Sequence, residues 1–128
     1  MATVLLVEDD PGVGRLLGTY LRAGNHDVLH ATKVAEALAI LDERASTVDV
    51  LVCDIGLPDG SGIHLASIYG ERRPGAPVVF ITGSPDAVPP SLRGVGTWRI
   101  MQKPFSIGRL VEEVQRVLDD GAGSGHAG

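Results

Sequence analysis

The fold of this chain is decided by the stretch Val48-Asp49-Val50-Leu51-Val52-Cys53-Asp54-Ile55-Gly56-Leu57-Pro58-Asp59-Gly60-Ser61-Gly62. It begins as a nearly unbroken apolar run, which is typical of a strand buried on both faces of a parallel sheet. Asp54 ends the run, and a cluster of proline, glycine, aspartate and serine turns the chain directly after it. Ligands of open α/β sheets bind in the crevice beyond the carboxyl ends of the strands. The stretch therefore predicts one carboxylate at the rim of such a crevice.

The size and composition of the chain are those of one globular domain. Its 128 residues are 44% hydrophobic and 21% charged, which is enough apolar material for a core. The formal net charge of −5, without a basic stripe, disfavours direct binding to nucleic acid or to an anionic membrane. The single cysteine, Cys53, excludes an internal disulfide and fits a reducing cytoplasm. The N-terminal segment is predicted to be a strand rather than a signal peptide, and no apolar run has membrane-spanning length.

Apolar periodicity predicts four more strands and five helices around the central strand. The central strand is expected at about residues 48–53, and the others at about 3–7, 27–31, 78–81 and 99–102. A helix is expected after each strand, beginning near Pro11, Thr32, Ser61, Ser91 and Ser106. Five repeats of strand and helix predict a doubly wound (βα)5 domain, in which helices cover both faces of a parallel sheet.

Local signals predict where these helices begin and where the domain ends. Asp10, Thr32 and Ser106 have side chains that suit helix N-caps. Pro89-Pro90 limits the fourth helix to about residues 91–95, because proline lacks the N–H group that a helix interior needs. Residues 121–128 contain mainly glycine, serine and alanine, and are predicted to form a flexible tail or linker after a domain of residues 1–120.

Charged and polar side chains follow four of the predicted strands. If the strands are parallel, as predicted, these side chains are expected at one edge of the sheet: Glu8 and Asp9, Asp54, Thr82, and Lys103. Neighbouring carboxylates repel one another unless a cation lies between them. Mg²⁺ is a natural choice, since it binds one or two carboxylates and completes its shell with water and phosphate oxygens.

The same set of side chains suits phosphoryl transfer. A carboxylate can accept a phosphoryl group covalently, and a lysine ammonium stabilises negative charge as a point charge. Such transfer depends mostly on positioning and on neutralising the phosphoryl oxygens, which a metal ion, a lysine and a hydroxyl can do together.

With these motifs in order, the chain resembles the receiver domain of two-component response regulators over roughly residues 2–120. The matching segments are Val7-Glu8-Asp9-Asp10-Pro11, Asp54-Ile55-Gly56-Leu57-Pro58-Asp59-Gly60-Ser61-Gly62, Ile81-Thr82-Gly83 and Lys103-Pro104-Phe105. The resemblance implies a flavodoxin-like sheet with strand order 2-1-3-4-5. It also implies a cytoplasmic signalling protein that receives a phosphoryl group from a sensor histidine kinase or a histidine phosphotransfer protein. A downstream protein or an effector domain would receive the signal.

The resemblance also implies a role for each residue of the site. Asp54 would be the phosphoacceptor, in a reaction that depends on Mg²⁺ or Mn²⁺ and that the domain itself catalyses in both directions of its signalling cycle, phosphorylation and dephosphorylation. Asp9 would be the main acidic metal ligand, Glu8 its helper through water, and Gly56 a ligand through its backbone carbonyl. Thr82 would bond one phosphoryl oxygen and Lys103 would neutralise another. The family's Lys-Pro bond is commonly cis, which predicts a cis bond at Lys103-Pro104.

Three positions depart from the family pattern. Ile100 stands where the family usually has a tyrosine or phenylalanine that turns inward on activation, and Trp98 is two residues away on the same face of the strand. Pro89-Pro90 disturbs the fourth helix, which belongs to the usual output face. Gly56 and Ser84 are small at the two positions where side chains commonly tune hydrolysis of the phosphoryl group.

Other interpretations of the same residues remain open. A protein-interaction scaffold could keep the fold without being phosphorylated, and a phosphatase of the haloacid dehalogenase type also uses an aspartate nucleophile, a lysine and Mg²⁺. The phosphatase needs a second aspartate two residues after the nucleophile, where this chain has Gly56. Thr82 could merely close a Ser/Thr turn, and Lys103 could be a solvated loop residue. The four histidines show no metal-ligand spacing and are expected at the surface or in packing.

Overall fold

Five strands form one parallel sheet, with a two-stranded hairpin beside it. The computed structural model describes residues 2–84, 86 and 96–127, with side chains up to residue 120. In chain order, the strands are β1 (Thr3–Val7), β2 (Asp27–Ala31), β3 (Val50–Asp54), β4 (Gly56–Leu57), β5 (Gly60–Ser61), β6 (Val78–Thr82) and β7 (Trp98–Gln102). The large sheet has the order β2-β1-β3-β6-β7, and the hairpin pairs β4 with β5. Because the hairpin takes two labels, this order is the predicted 2-1-3-4-5.

Helices cover both faces of the sheet, as predicted. They are α1 (Pro11–Ala23), α2 (Val34–Arg44), α3 (Gly62–Arg72) and α4 (Ile107–Ala127), with a 3₁₀ turn at Ala45–Thr47. Helices α1 and α4 pack on one face, and α2 and α3 on the other. The predicted short helix at residues 91–95 and Pro89-Pro90 lie outside the described residues. Within the described part of the chain, no helix is both long enough and apolar enough to cross a membrane.

The three central strands are buried on both faces, which explains their continuous apolar sequences. Alternate residues of each strand enter opposite cores. The core under α2 and α3 receives Leu5, Leu51 and Phe80, and the core under α1 and α4 receives Leu6 and Val79. The run that predicts a buried parallel strand therefore has the two-sided burial that its composition requires.

The last helix differs from its predicted length. It continues to Ala127, so residues 121–127 are helical where a flexible tail is predicted. The hydrophobic face of this helix packs against the core, where Leu110, Val114 and Val117 are fully buried. The division of the chain at residue 120 stays a prediction, since the side chains after that residue are not described.

Two of the three predicted caps are confirmed. The Asp10 carboxylate accepts hydrogen bonds from the N–H groups of Gly12 (2.9 Å) and Val13 (3.1 Å) at the start of α1. The Ser106 hydroxyl accepts one from the N–H of Arg109 (3.2 Å) before α4.

The predicted cap of α2 is wrong. Thr32 donates instead to the carboxylate of Glu36, and the N-cap position is Lys33, whose side chain makes no capping bond. The acceptor comes from the β4–β5 hairpin: Asp59 Oδ1 and Oδ2 accept the N–H groups of Val34 (2.7 Å) and Ala35 (3.0 Å). The loop that follows β3 is thereby joined to the start of α2.

Replacing Asp59 with alanine is expected to lower the melting temperature by roughly 2–5 °C, because two N–H groups of α2 lose their acceptor. Hydrogen bonds from the backbone of Ala35 and Val34 hold the pKa of Asp59 below its usual value. The stabilisation is therefore present at neutral pH and is lost as the pH falls through that lowered pKa. Thermal denaturation at neutral and acidic pH checks this. Asp59→Asn keeps one acceptor oxygen, so its melting temperature should lie between those of wild type and Asp59→Ala. An Asp59→Ala variant as stable as wild type at neutral pH would contradict the cap.

Candidate functional site

The carboxyl ends of β1, β3, β6 and β7 bring the predicted site residues to one edge of the sheet. Val7 of β1 is in register with Cys53 of β3, so the next residues, Glu8 and Asp54, lie side by side. Asp54 is in turn in register with Ile81 of β6. Parallel pairing of neighbouring buried strands thus accounts for the first contacts of the site.

Three carboxylates form the floor of this edge. Oxygens of Glu8, Asp9 and Asp54 all lie within 4.8 Å of one another. Glu8 and Asp54 are buried, with exposed fractions of 3% and 6%, whereas Asp9 is exposed. Burial, together with the hydrogen bond to Asp9 and the charge of Asp54, raises the pKa of Glu8 to about 7. Three carboxylates that converge with oxygen donors alone fit a hard divalent cation such as Mg²⁺ or Mn²⁺.

Asp54 has a polar partner at each carboxylate oxygen. The Lys103 ammonium lies 2.7 Å from Oδ2, and the N–H of Gly56 donates to Oδ1 over 3.1 Å. The bond to Asp54 raises the pKa of Lys103, and Glu8 and Asp9 add to the effect, so the ammonium stays charged. Lys103 is therefore paired with the acidic cluster, although 44% of its side chain remains exposed. The predicted cis bond to Pro104 is confirmed.

Thr82 is at the same edge but is engaged locally. Its Oγ1 accepts the N–H of Ser84 (2.9 Å) and lies 3.3 Å from the carbonyl oxygen of Ser84. This is the Ser/Thr turn left open by the sequence. The carbonyl of Thr82 accepts the N–H of Lys103 over 2.8 Å, so the backbone ties these two residues together. In the structure Thr82 is thus beside Lys103, with its hydroxyl turned to its own loop.

The loop after Asp54 folds back closely onto β3. A Cβ atom on Gly62 would overlap the carbonyl oxygen of Asp54 and lie 3.0 Å from the Cys53 sulfur, so only glycine fits there. Cys53 is fully buried, its thiol lies 3.5 Å from the carbonyl oxygen of Gly62, and burial raises the thiol pKa. It is the small core residue that the sequence predicts. In contrast, nothing lies within 4 Å of a Cβ built on Gly56.

The position usually held by an aromatic switch residue contains Ile100 here. Ile100 and Trp98 are both half-buried and pack against the core under α2 and α3, so they share a face of β7 as predicted. The Trp98 ring meets Phe80 edge to face, with 6.2 Å between ring centroids. The nearest aromatic side chain of the strand is thus held by the core at a distance from the acidic cluster.

Beside the cluster is an open cleft of about 520 Å³, lined by Glu8, Asp9, Asp10, Val13, Lys103, Pro104 and Phe105. The cleft has an acidic floor and an apolar side. That side continues along α1, where Val13, Leu16 and Tyr20 are 40%, 47% and 48% exposed. We name Val13, Leu16 and Tyr20 the apolar stripe of α1; they are large exposed hydrophobic residues next to the buried acids.

Sequence reasoning gave His30 no part in this site. In the structure its Nε2 lies 3.0 Å from the backbone oxygen of Glu8, although 22 residues separate the two. Its position on the edge strand β2, one residue before Ala31, is the signal that could have indicated this, because Ala31 is paired with the residue before Glu8. Of the other histidines, His26 is buried and accepts the N–H of Ala2 over 3.3 Å.

Known proteins resemble this chain over most of its length. The profile of the response regulator receiver domain matches residues 4–115. The chain is 33% identical over 124 residues to the transcriptional regulatory protein GlrR of Escherichia coli (strain K12), covering 94% of this chain and 27% of GlrR. It is 32% identical over 119 residues to the response regulator receiver protein CpdR of Brucella abortus (strain 2308), covering 92% of this chain and 98% of CpdR.

A solved structure is similar over nearly the same residues. The crystal structure of the receiver domain from the hybrid histidine kinase CckA has a TM-score of 0.77 and 33% identity, over 91% of this chain and 99% of that domain. The chain thus spans about a quarter of the length of GlrR and nearly the whole of CpdR. A domain of this kind is therefore part of a longer chain in one relative and almost the entire protein in another.

Proposed function

Because this chain belongs to the response regulator receiver domain family, we propose that it accepts a phosphoryl group on Asp54 from a phosphohistidine. The donor is a sensor histidine kinase or a histidine phosphotransfer protein in the cytoplasm. The observation that carries this proposal is the pairing of Asp54 with Lys103, 2.7 Å apart, inside a group of three carboxylates. Receiver domains are phosphoacceptors rather than conventional enzymes, and this chain would catalyse its own phosphorylation and dephosphorylation.

The acidic residues would hold the divalent cation. Asp9 is the exposed carboxylate and would be its main direct ligand, Glu8 would act through water, and the carbonyl of Gly56 and a carboxylate oxygen of Asp54 would complete the protein's share. A bound Mg²⁺ or Mn²⁺ would neutralise charge on the carboxylates and on the phosphoryl oxygens. Oxygen ligands only, with one exposed carboxylate open to solvent, support this choice of cation.

In the proposed reaction, a carboxylate oxygen of Asp54 attacks the phosphorus of the phosphohistidine. The new P–O bond forms as the P–N bond breaks, and the imidazole nitrogen leaves with the electron pair of that bond. Lys103 contributes by neutralising charge on the oxygens it faces, since its raised pKa keeps the ammonium protonated. Hydrolysis reverses the modification when water attacks the acyl phosphate, and the small Gly56 and Ser84 leave the approach to Asp54 open.

The signal would be a change in the loop that holds Thr82. To donate its single proton to a phosphoryl oxygen, the hydroxyl must give up its bond to the carbonyl oxygen of Ser84, 3.3 Å away. Phosphorylation would favour that second arrangement and shift the population of the loop. The carbonyl of Thr82 accepts from Lys103, so the two residues that face the phosphoryl group would respond together. A downstream protein, or an effector domain in a longer chain, would bind the altered surface.

The proposal is tested by treating the chain with acetyl phosphate and MgCl₂ and measuring its intact mass. One added phosphoryl group, labile to hydroxylamine and absent when EDTA is present, is the expected result. A chain that gains no mass under conditions that label a known receiver domain would contradict the proposal and favour the scaffold alternative. Turnover of a phosphate ester would instead favour a phosphatase.

The apolar stripe of α1 would bind the protein donor. The cleft beside Val13 and Phe105 is also lined by Lys103, the partner of Asp54. A donor whose phosphohistidine enters through this cleft would cover the exposed side of α1. An amphipathic helix pair with apolar residues around the histidine fits this stripe, because burying exposed leucine and tyrosine side chains drives association.

Replacing Leu16 with aspartate is expected to slow phosphotransfer from a protein donor by at least about tenfold, because a charge enters the centre of an apolar contact. Labelling by acetyl phosphate should not change, since that donor needs no docking surface. The kinase that loads the wild-type chain fastest in a panel from the same organism is the donor to use. Ala39→Asp, which adds the same charge to an exposed position of α2, is the matched control and should transfer at the wild-type rate. Equal slowing in both variants would argue against the stripe.

A further inference from the structure

His30 makes a contact that the proposed chemistry does not use. It is the fourth residue of β2, an edge strand of the sheet, and its ring turns back toward α1. The Nε2 atom lies 3.0 Å from the backbone oxygen of Glu8. A carbonyl oxygen can only accept, so Nε2 carries the proton and donates.

This hydrogen bond occurs where the ladder between β1 and β2 ends. Val7 and Ala31 are the last residues in register, and the N–H of Glu8 donates to the carbonyl of Ala31 over 3.0 Å. The chain of β2 then turns away into Thr32. The His30 ring supplies a donor for the carbonyl of Glu8, so both backbone polar groups of that residue are bonded to the β2 segment.

The ring is seated on a glycine. A Cβ atom on Gly14 would overlap Cε1 and Nε2 of His30, so the ring occupies the space that any other residue at position 14 would fill. Gly14 is in the first turns of α1, and its N–H donates to the carbonyl of Asp10 over 2.8 Å. The ring is therefore held between the carbonyl of Glu8 and the first turns of α1. These two contacts flank the acidic turn, which we define as residues 8–10.

The side chains of the acidic turn depend on this backbone. Glu8 Oε2 accepts the N–H of Asp10 over 3.3 Å, and Asp9, between them, is the exposed carboxylate of the cluster. A rotation of the Glu8 peptide would move both carboxylates relative to Asp54, whose own position is fixed by β3. The hydrogen bond from His30 opposes such a rotation.

From these contacts we infer that His30 is a positioning residue for divalent cation binding, acting through the Glu8 carbonyl and seated by Gly14. The inference rests on the proposed function, because it concerns the same carboxylates. It predicts that loss of the donor weakens cation binding but leaves the phosphoryl transfer step itself unchanged once the cation is saturating.

The test compares variants in Mg²⁺ titrations followed by the backbone amide signals of residues 8–10. His30→Phe keeps a ring but removes the donor, and should raise the Kd for Mg²⁺ roughly 3- to 10-fold. His30→Gln carries an N–H the same number of bonds from the backbone and should restore the Kd to within about twofold of wild type. The rate of acetyl phosphate labelling at saturating Mg²⁺ should stay at the wild-type value in both.

The packing of the His30 ring against Gly14 is tested by Gly14→Ala, which should displace the ring and raise the Kd for Mg²⁺ as His30→Phe does. In a His30→Ala background, where no ring is present, the same change at position 14 should add nothing. A wild-type Kd in His30→Phe, or losses from Gly14→Ala that persist without the ring, would overturn the inference. If the wild-type chain binds Mg²⁺ but takes no phosphoryl group, the proposed function fails while these titrations still decide the role of His30. If it binds no Mg²⁺, both fail.

Discussion

Asp54→Asn protein is expected to gain no phosphoryl group from acetyl phosphate and Mg²⁺, whereas the wild-type chain gains one. The amide oxygen that replaces the carboxylate is neutral and a poor nucleophile, so the new P–O bond cannot form. The change is nearly isosteric at a position that is only 6% exposed, which keeps the packing around it. It also removes the charge that pairs with Lys103, and the loss is therefore expected to be complete rather than partial.

Intact mass spectrometry after the reaction measures this loss, and hydroxylamine sensitivity of the wild-type label identifies an acyl phosphate. Asp59→Asn is the matched control, because it makes the same change at an exposed carboxylate outside the cluster and should be labelled like wild type. Far-ultraviolet circular dichroism confirms that both variants are folded. A label of wild-type size on Asp54→Asn would show that the acceptor is a different residue and would end the assignment.

The sequence was sufficient to predict which side chains meet at this edge, because strand ends determine their placement. Glu8 directly follows a buried strand, and Asp54 and Thr82 are the last residues of two others. Parallel pairing of these strands is therefore enough to bring the three residues to one edge. Register then follows from burial, since a slip by one residue would turn apolar side chains out of the core. Lys103 follows the last strand in the same way, which is why its contact with Asp54 could be expected before any distance was known.

The contacts that the sequence did not predict are between segments that are distant in the chain. Asp59 caps α2 although 25 residues separate it from Val34, and Thr32, which is adjacent and of the right type, does not. A local rule cannot choose between the two, because the choice depends on where the β4–β5 hairpin comes to lie. The His30 ring over Gly14 is of the same kind: neither residue has a sequence signature, and the pair exists only once β2 and α1 are packed together.

Thr82 illustrates the difference between a residue's position and its state. Its position at the end of β6 follows from the sequence, but two roles were open, a turn and a phosphoryl contact. The structure has the turn, in which Oγ1 accepts the N–H of Ser84 and directs its single proton to the carbonyl oxygen of Ser84, 3.3 Å away. One conformation cannot fill both roles, because the hydroxyl has a single proton. A switch between two conformations can, with the turn in one and the phosphoryl contact in the other.

Asp9→Ala is expected to weaken Mg²⁺ binding by roughly 100-fold, a loss of about 2.7 kcal/mol. Unit charges about 4 Å apart attract by about 4 kcal/mol at an effective dielectric constant of about 20, before desolvation is subtracted. A divalent ion is attracted more strongly, so a substantial part of this interaction energy is expected to remain after the cost of desolvation is subtracted. Asp9 is the exposed carboxylate of the cluster, so it is open to an ion that arrives from solvent.

The same variant should be no less stable than wild type without metal. Asp9 raises the pKa of Glu8 through a hydrogen bond, and the loss of that bond is offset because one of three neighbouring carboxylates is removed. Isothermal titration with MgCl₂ gives the affinity, and melting curves with and without Mg²⁺ separate binding from folding, because a ligand that binds only the native state raises the melting temperature. Asp10→Ala is the matched control: it removes the neighbouring acid and the cap of α1, so it should destabilise the fold while Mg²⁺ affinity is kept. If Asp10→Ala lost affinity and Asp9→Ala did not, the order of the two acids in the site would have to be reversed.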